Sequence, residues 1–133
     1  MKLSVTADVF RLAQVFTISR GSRTEAHVLT VTITDGAYVG RGECVPYARY
    51  GETLESVAAQ IKGLALPLAR DALQNALPAG AARNAVDCAL WDLEAKKTGI
   101  PVWQLAGLKA PQAEVTAYTL SLDTPRAMQA QAA

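Results

Sequence analysis

Histidine and cysteine are nearly missing from this chain: His27 stands alone, and only Cys44 and Cys88 carry thiols among 133 residues. That set cannot supply the four ligands of a structural zinc site and is far too small for a disulfide scaffold, so reduced thiols packed in the interior are the expectation for both cysteines. Charge of one sign is lacking as well. Thirteen basic residues face twelve acidic ones for a formal net charge of +1, with no run of lysines or arginines to track a phosphate backbone, which argues against nucleic acid as a partner. No stretch reaches the roughly 18 apolar residues of a membrane span. The first eight residues, Met1 to Asp8, alternate instead of forming the apolar run of a signal peptide, so no membrane association and a cytoplasmic location are expected. Nucleotide and zinc-hydrolase motifs are absent too: Gly40-Arg41-Gly42 lacks the spacing and the following helix of a phosphate loop, and there is no HExxH.

What is there is apolar and patterned. Half of the residues are hydrophobic and 19% are charged, a balance that buries a core and excludes a disordered chain. The period-2 alternation of Leu3, Val5, Ala7 and Val9 predicts a strand, and Val15, Thr17 and Ser19 a second short extended piece before a polar loop, Arg20-Gly21-Ser22-Arg23. His27 to Thr34 is β-branched almost throughout, with Leu29, Val31 and Ile33 on one face and three threonines on the other. Asp35-Gly36 then reads as a hairpin turn returning through Ala37 to Cys44, so residues 1–44 form a small antiparallel sheet.

Helical spacing takes over after Gly51. Thr53 caps a helix whose apolar positions run from Leu54 to Leu68, with Pro67 bending or ending it. A short helix follows from Arg70 to Leu77, and a longer one from Ala81 to Lys97 is closed by Gly99 and Pro101. The inner stripe of the long helix, Ala82, Ala85, Val86, Ala89, Leu90 and Leu93, is dominated by small side chains and invites close approach by another element. Arg83 with Asp87 and Asp92 with Lys96 are spaced as (i, i+4) pairs. Asp87 and Asp92 stand about 140° apart around the axis, so they do not converge on one metal ion. A helical turn over 102–107, a strand over Glu114 to Ser121, and a helix opened by Asp123-Thr124-Pro125 complete the reading. A helix with a good start and little apolar face is what a chain cut within a β/α unit presents.

Two segments carry candidate chemistry. Arg20 and Arg23 flank a glycine, and Pro46-Tyr47-Ala48-Arg49-Tyr50-Gly51 adds a third guanidinium beside two tyrosines. Guanidinium forks bind carboxylates bidentately and aromatic rings supply an apolar wall, a combination suited to a small acidic substrate under a lid. Ordinary surface loops are the alternative.

Three stretches together resemble a known family: Arg20 to Ala26, Gly42 to Glu52, and Leu77 to Leu93 with its Ala-Leu-Trp-Asp-Leu segment. They are similar to the dipeptide epimerases of the muconate-lactonizing branch of the enolase superfamily, and among these to the L-Ala-D/L-Glu epimerases. The resemblance implies an α+β fold: an enolase-like N-terminal capping domain over residues 1–110, antiparallel sheet followed by helices, and over 111–133 the first strand and start of a helix of a (β/α)7β barrel. It further implies an isomerase in which Mg2+, held by three barrel carboxylates, stabilises an enediolate while two lysines exchange the α-proton of a small acidic dipeptide. Those lysines and metal ligands would lie beyond Ala133, so no catalytic residue and no metal ligand is expected within this chain, which alone should not catalyse. Arg23 matches the lid arginine that contacts the acidic side chain, Thr119 a substrate-contacting threonine near the end of the first barrel strand, and Tyr50 falls on the lid wall. A homo-oligomer is compatible with the family. The alternatives are another enzyme of the branch, a cycloisomerase or o-succinylbenzoate synthase, and a non-catalytic binding module.

Overall fold

The computed structural model describes residues 1–133. Its sheet has three strands in the order β1-β2-β3, with β1 at Lys2–Ile18, β2 at Gly21–Asp35 and β3 at Tyr38–Cys44. The helices are α1 (Leu54–Lys62), α2 (Arg70–Ala76), α3 (Ala81–Thr98), α4 (Val102–Leu105) and α5 (Pro125–Ala132), with a 3-10 turn at Ala48–Tyr50. The chain divides into two compact units. One comprises Met1–Asp8 with His27–Pro111; the other comprises Val9–Ala26 with Gln112–Ala133.

In the first unit, β2 turns Leu29, Val31 and Ile33 inward as the alternation predicts, and all three are buried. Opposite them in the β3 register stand Cys44, Gly42 and Gly40. The core-facing side of β3 is therefore nearly bare backbone. Helix α3 lies directly on it, through the six small and branched residues that the sequence singled out. A Cβ on Gly42 would stand 2.1 Å from the Ala85 carbonyl oxygen, and one on Gly40 would stand 2.1 Å from that of Ala89. The glycine pair that resembles a fragment of a nucleotide loop is thus a seat for a helix. Leu3 and Val5 of β1, Val57 and Ile61 of α1, and Leu73 of α2 close the core around this joint.

The free edge of β3 is covered by α3 side chains, which removes an exposed pairing edge. The Arg41 amide donates to Asp92 Oδ2 at 2.8 Å, and Lys96 Nζ donates to the Val39 carbonyl at 2.9 Å and to Asp92 at 2.6 Å. Of the two expected (i, i+4) pairs only Asp92–Lys96 forms. Arg70 lays its guanidinium 3.4 Å over the Trp91 ring and its Nε 3.4 Å from Glu94, tying α2 to α3.

Several expectations are corrected. Strand β1 is one continuous strand of 17 residues, because pairing with β2 carries the ladder through Phe10–Gln14, where local alternation fails. The Arg20–Arg23 segment is no loop: only Ser19 and Arg20 turn, and Gly21, Ser22 and Arg23 already belong to β2. The β2–β3 hairpin turns on Gly36 and Ala37, with Asp35 and Tyr38 as the closing pair; Gly36 alone takes a positive φ, of 61°. Helix α1 stops at Lys62, since Gly63 caps it and Leu64 bonds back to Ile61. Cys88 is exposed while Cys44 is buried. Residues Glu114 to Ser121 form no strand: none of the three strands offers them a ladder, and Val115 and Tyr118 stand exposed.

Candidate functional site

The second unit is built on the far part of the β1–β2 hairpin. At its tip, Phe16, Ile18, Arg20, Gly21, Ser22 and Arg23 line a cleft of about 140 Å³, room for one side chain but not for a whole ligand of ordinary size. Two apolar residues of β1 and two guanidinium-bearing residues thus border the same small space, which suits a carboxylate at the end of a short aliphatic stem. Arg20 and Arg23 are both exposed. Gly21, at φ 137°, carries the chain from the turn into β2, a conformation that a side chain would strain.

Thr119 belongs to this same unit and is exposed. Two residues later Ser121 is buried, with its Oγ accepting from the Thr17 amide at 2.9 Å and donating to the Val15 carbonyl at 3.1 Å. Thr17 and Ser22 share a hydroxyl–hydroxyl bond of 2.8 Å. The unit therefore brings the Arg23 strand and the Thr119 segment together through hydrogen bonds. Ser121 was not among the residues that sequence reasoning picked out; its one signal is a small hydroxyl residue between two leucines.

Tyr50 lies in the first unit, in the 3-10 turn, and is 76% exposed, with its ring tilted against Tyr47 at 5.7 Å between centroids. This turn is held from below. Glu52 accepts from the Tyr47 amide at 3.0 Å with one oxygen and from the Ala81 amide at 2.7 Å with the other, so a single carboxylate fixes the tyrosine turn and caps α3, whose own N-cap, Gly80, offers no side chain. The capping box at Thr53 and Ser56 starts α1 directly after it.

Neither thiol is set up as a nucleophile. Burial, followed by the charges of Glu52 and Glu43, pushes Cys44 up to about 11, and burial of its sulfur, then Asp87, raises Cys88 as well. No three His, Cys, Asp or Glu residues gather where they could hold a metal ion. Asp92 and Glu52 are committed to amides and Lys96 as described, and Asp35 to Lys97 and the N-terminal amine. The residues of this chain do not fit a magnesium site. No helix is long and apolar enough to cross a membrane.

The chain matches known proteins along most of its length. The model of the mandelate racemase / muconate lactonizing enzyme N-terminal domain matches residues 1–107. The L-Ala-D/L-Glu epimerase of Escherichia coli K12 is 45% identical over 130 residues, covering 95% of this chain and 40% of its own length. The N-acetyl-D-glutamate racemase of a Pseudoalteromonas species is 44% identical over 108 residues, covering 77% and 34%. A crystal structure of an enolase family member from Agrobacterium tumefaciens with homology to dipeptide epimerases, holding sodium and L-Ala-L-Glu with an ordered loop, superposes with a TM-score of 0.89 at 52% identity, over 97% of this chain and 41% of that one. Other solved dipeptide epimerases of similar fold hold magnesium and a dipeptide. The chain thus spans between 34% and 41% of the length of these relatives. The match to the family model through residue 107, together with an antiparallel sheet backed by helices, leads to one assignment: this chain belongs to the mandelate racemase / muconate lactonizing enzyme family and carries the capping fold of that family's N-terminal domain.

Proposed function

We propose that this chain is the N-terminal portion of a magnesium-dependent dipeptide epimerase and supplies the part that selects an acidic substrate. In this reading residues 1–110 are the capping domain and residues 111–133 open the barrel. Arg23, with Arg20 beside it, receives the glutamate side chain of L-Ala-D/L-Glu; Thr119 contacts the substrate from the barrel side, and Tyr50 forms lid wall. The observation that carries the proposal is the hairpin-tip cleft, where two arginines border an apolar space sized for one carboxylate-bearing side chain. The two curated relatives support it from another side, since both names describe stereochemical change in a glutamate-containing compound. Magnesium and the proton-transferring lysines belong to the barrel, and the chemistry that the metal supplies is to acidify the proton beside the carboxylate. The enzyme works in the cytoplasm on dipeptides from peptidoglycan turnover.

The test is Arg23→Ala in the complete enzyme. Loss of a charge-assisted fork raises KM for L-Ala-L-Glu about 10- to 100-fold, while neutral dipeptides are processed as before. Equal losses for acidic and neutral dipeptides would remove Arg23 from recognition of the acidic side chain, whereas a complete enzyme that turns over neither dipeptide would favour a cycloisomerase or an o-succinylbenzoate synthase. Residues 1–133 alone are expected to exchange no α-proton of Ala-Glu with solvent deuterium, with or without magnesium.

A further inference from the structure

We propose that Ser121 is a positioning residue that clasps the hairpin carrying Arg23 to the segment carrying Thr119; the proposal rests on the reading of those two residues as substrate contacts. Ser121 is the one buried polar side chain of the molecule, 6% exposed. Its hydroxyl is fully used, accepting from the Thr17 amide and donating to the Val15 carbonyl, and the next residue, Leu122, donates its amide to the Thr17 carbonyl at 2.8 Å.

These three bonds join parts of the chain more than a hundred residues apart, and they fall on β1, an edge strand. They engage one amide and two carbonyls of β1, and a buried hydroxyl is the smallest side chain able to serve a donor and an acceptor at once. The segment from Gln112 to Leu120 has no ladder of its own, and the hydrogen bonds that join it to the hairpin come at Ser121 and Leu122. From Thr17 the connection continues through the hydroxyl pair with Ser22, the neighbour of Arg23. A path of hydrogen bonds therefore runs from two residues beyond Thr119 to one residue before Arg23. Contacts to one substrate must be held to within about 0.5 Å to act together, and in our proposal this clasp contributes to that precision.

Amide hydrogen exchange on the whole chain tests the clasp directly. In Ser121→Ala, exchange at Thr17 and Leu122 quickens about tenfold as one net hydrogen bond is lost, while Val31 and Ile33 of the first unit keep their protection and report an intact fold. Ser121→Thr, which retains the hydroxyl, restores protection. In the complete epimerase, Ser121→Ala raises KM for L-Ala-L-Glu about tenfold and that for L-Ala-L-Ala by less, since the neutral dipeptide loses only the Thr119 contact, while kcat changes little. Thr17→Val, which cuts only the link to Ser22, gives the same KM effect with the Thr17 amide still protected. Unaltered exchange at Thr17 in Ser121→Ala overturns the clasp. Faster exchange with equal KM rises for acidic and neutral dipeptides overturns the positioning role. If Arg23→Ala itself fails to discriminate the dipeptides, the substrate reading is what has failed, and exchange still judges the clasp.

Discussion

Substituting Gly42 by alanine puts one methyl group where the structure has room for none. The new Cβ would lie 2.1 Å from the Ala85 carbonyl oxygen, 2.7 Å from the Ala89 amide nitrogen and 3.0 Å from Cys88 Cβ, and the first of these falls about 1.3 Å short of the 3.4 Å at which ordinary contact begins. Two of the three obstacles are helix backbone and cannot rotate aside. Either α3 retreats from β3, loosening its six buried residues and the Asp92 and Lys96 bonds to the strand edge, or β3 bends away from Val31. Overpacking usually costs 1–3 kcal/mol, and a clash with main chain belongs at the upper end, about 3 kcal/mol. For a chain of this size that lowers Tm by roughly 10 °C. Gly99→Ala is the control: nothing lies within 4 Å of its Cβ, and only its φ of 71° resists the change, at about 1 kcal/mol. Thermal melts followed by circular dichroism, with urea titrations for ΔG, compare the three proteins. A Gly42→Ala chain no less stable than Gly99→Ala would refute the claim that bare backbone on β3 seats the helix.

Two further outcomes follow from the ionisable groups. At pH 8 an alkylating reagent should modify Cys88 and spare Cys44, with both reacting after denaturation, since Cys44 is buried and raised to about 11; two modified thiols in the native chain would contradict its placement. The neutral Cys44 thiol favours the folded state up to the thiol's unfolded pKa, about 8.5, and this contribution is lost as pH rises through about 11. Asp92 has the opposite sign. Burial opposes its ionisation, but the Lys96 ammonium and the Arg41 amide outweigh it and hold the carboxyl below its ordinary value. Its contribution is therefore present above the unfolded carboxylate pKa of about 3.9 and lost as pH falls through the lower folded value. Urea melts at neutral and acid pH should show a smaller acid-induced loss in Asp92→Asn than in the parent; an equal loss would remove Asp92 from the edge of β3.

Where one residue's pattern decides the structure, the sequence was legible. The alternation of Leu29, Val31 and Ile33, the cap at Thr53, the stop at Gly99 and the stripe on α3 all emerged as read, because each is a local or single-face signal. Elements whose fate depends on a partner were not. Phe10–Gln14 has no alternation yet is strand, since β2 supplies the ladder, while Glu114–Ser121 has strand-like residues and no ladder. Pairing information lies in the neighbour, not in the segment. The same holds for the candidate site. The arginines and tyrosines stood out by chemical type, whereas Ser121 and Glu52 matter through bonds to residues up to 106 positions away, which no spacing rule reveals. Asp92, which helix geometry separates from Asp87, is committed to the Arg41 amide and Lys96 at the strand edge.

The contact of α3 with glycine backbone also bears on how such a protein can diversify. A joint between main chain and main chain has no rotamers to exchange, so it cannot drift by small compensating substitutions as an aliphatic interface does. It behaves as a fixed datum. The hairpin tip and the tyrosine turn lie outside that joint, and in grafting experiments they are the segments to transplant from another member of the family, whereas a chimaera with its crossover between β3 and α3 would have to match both surfaces at once.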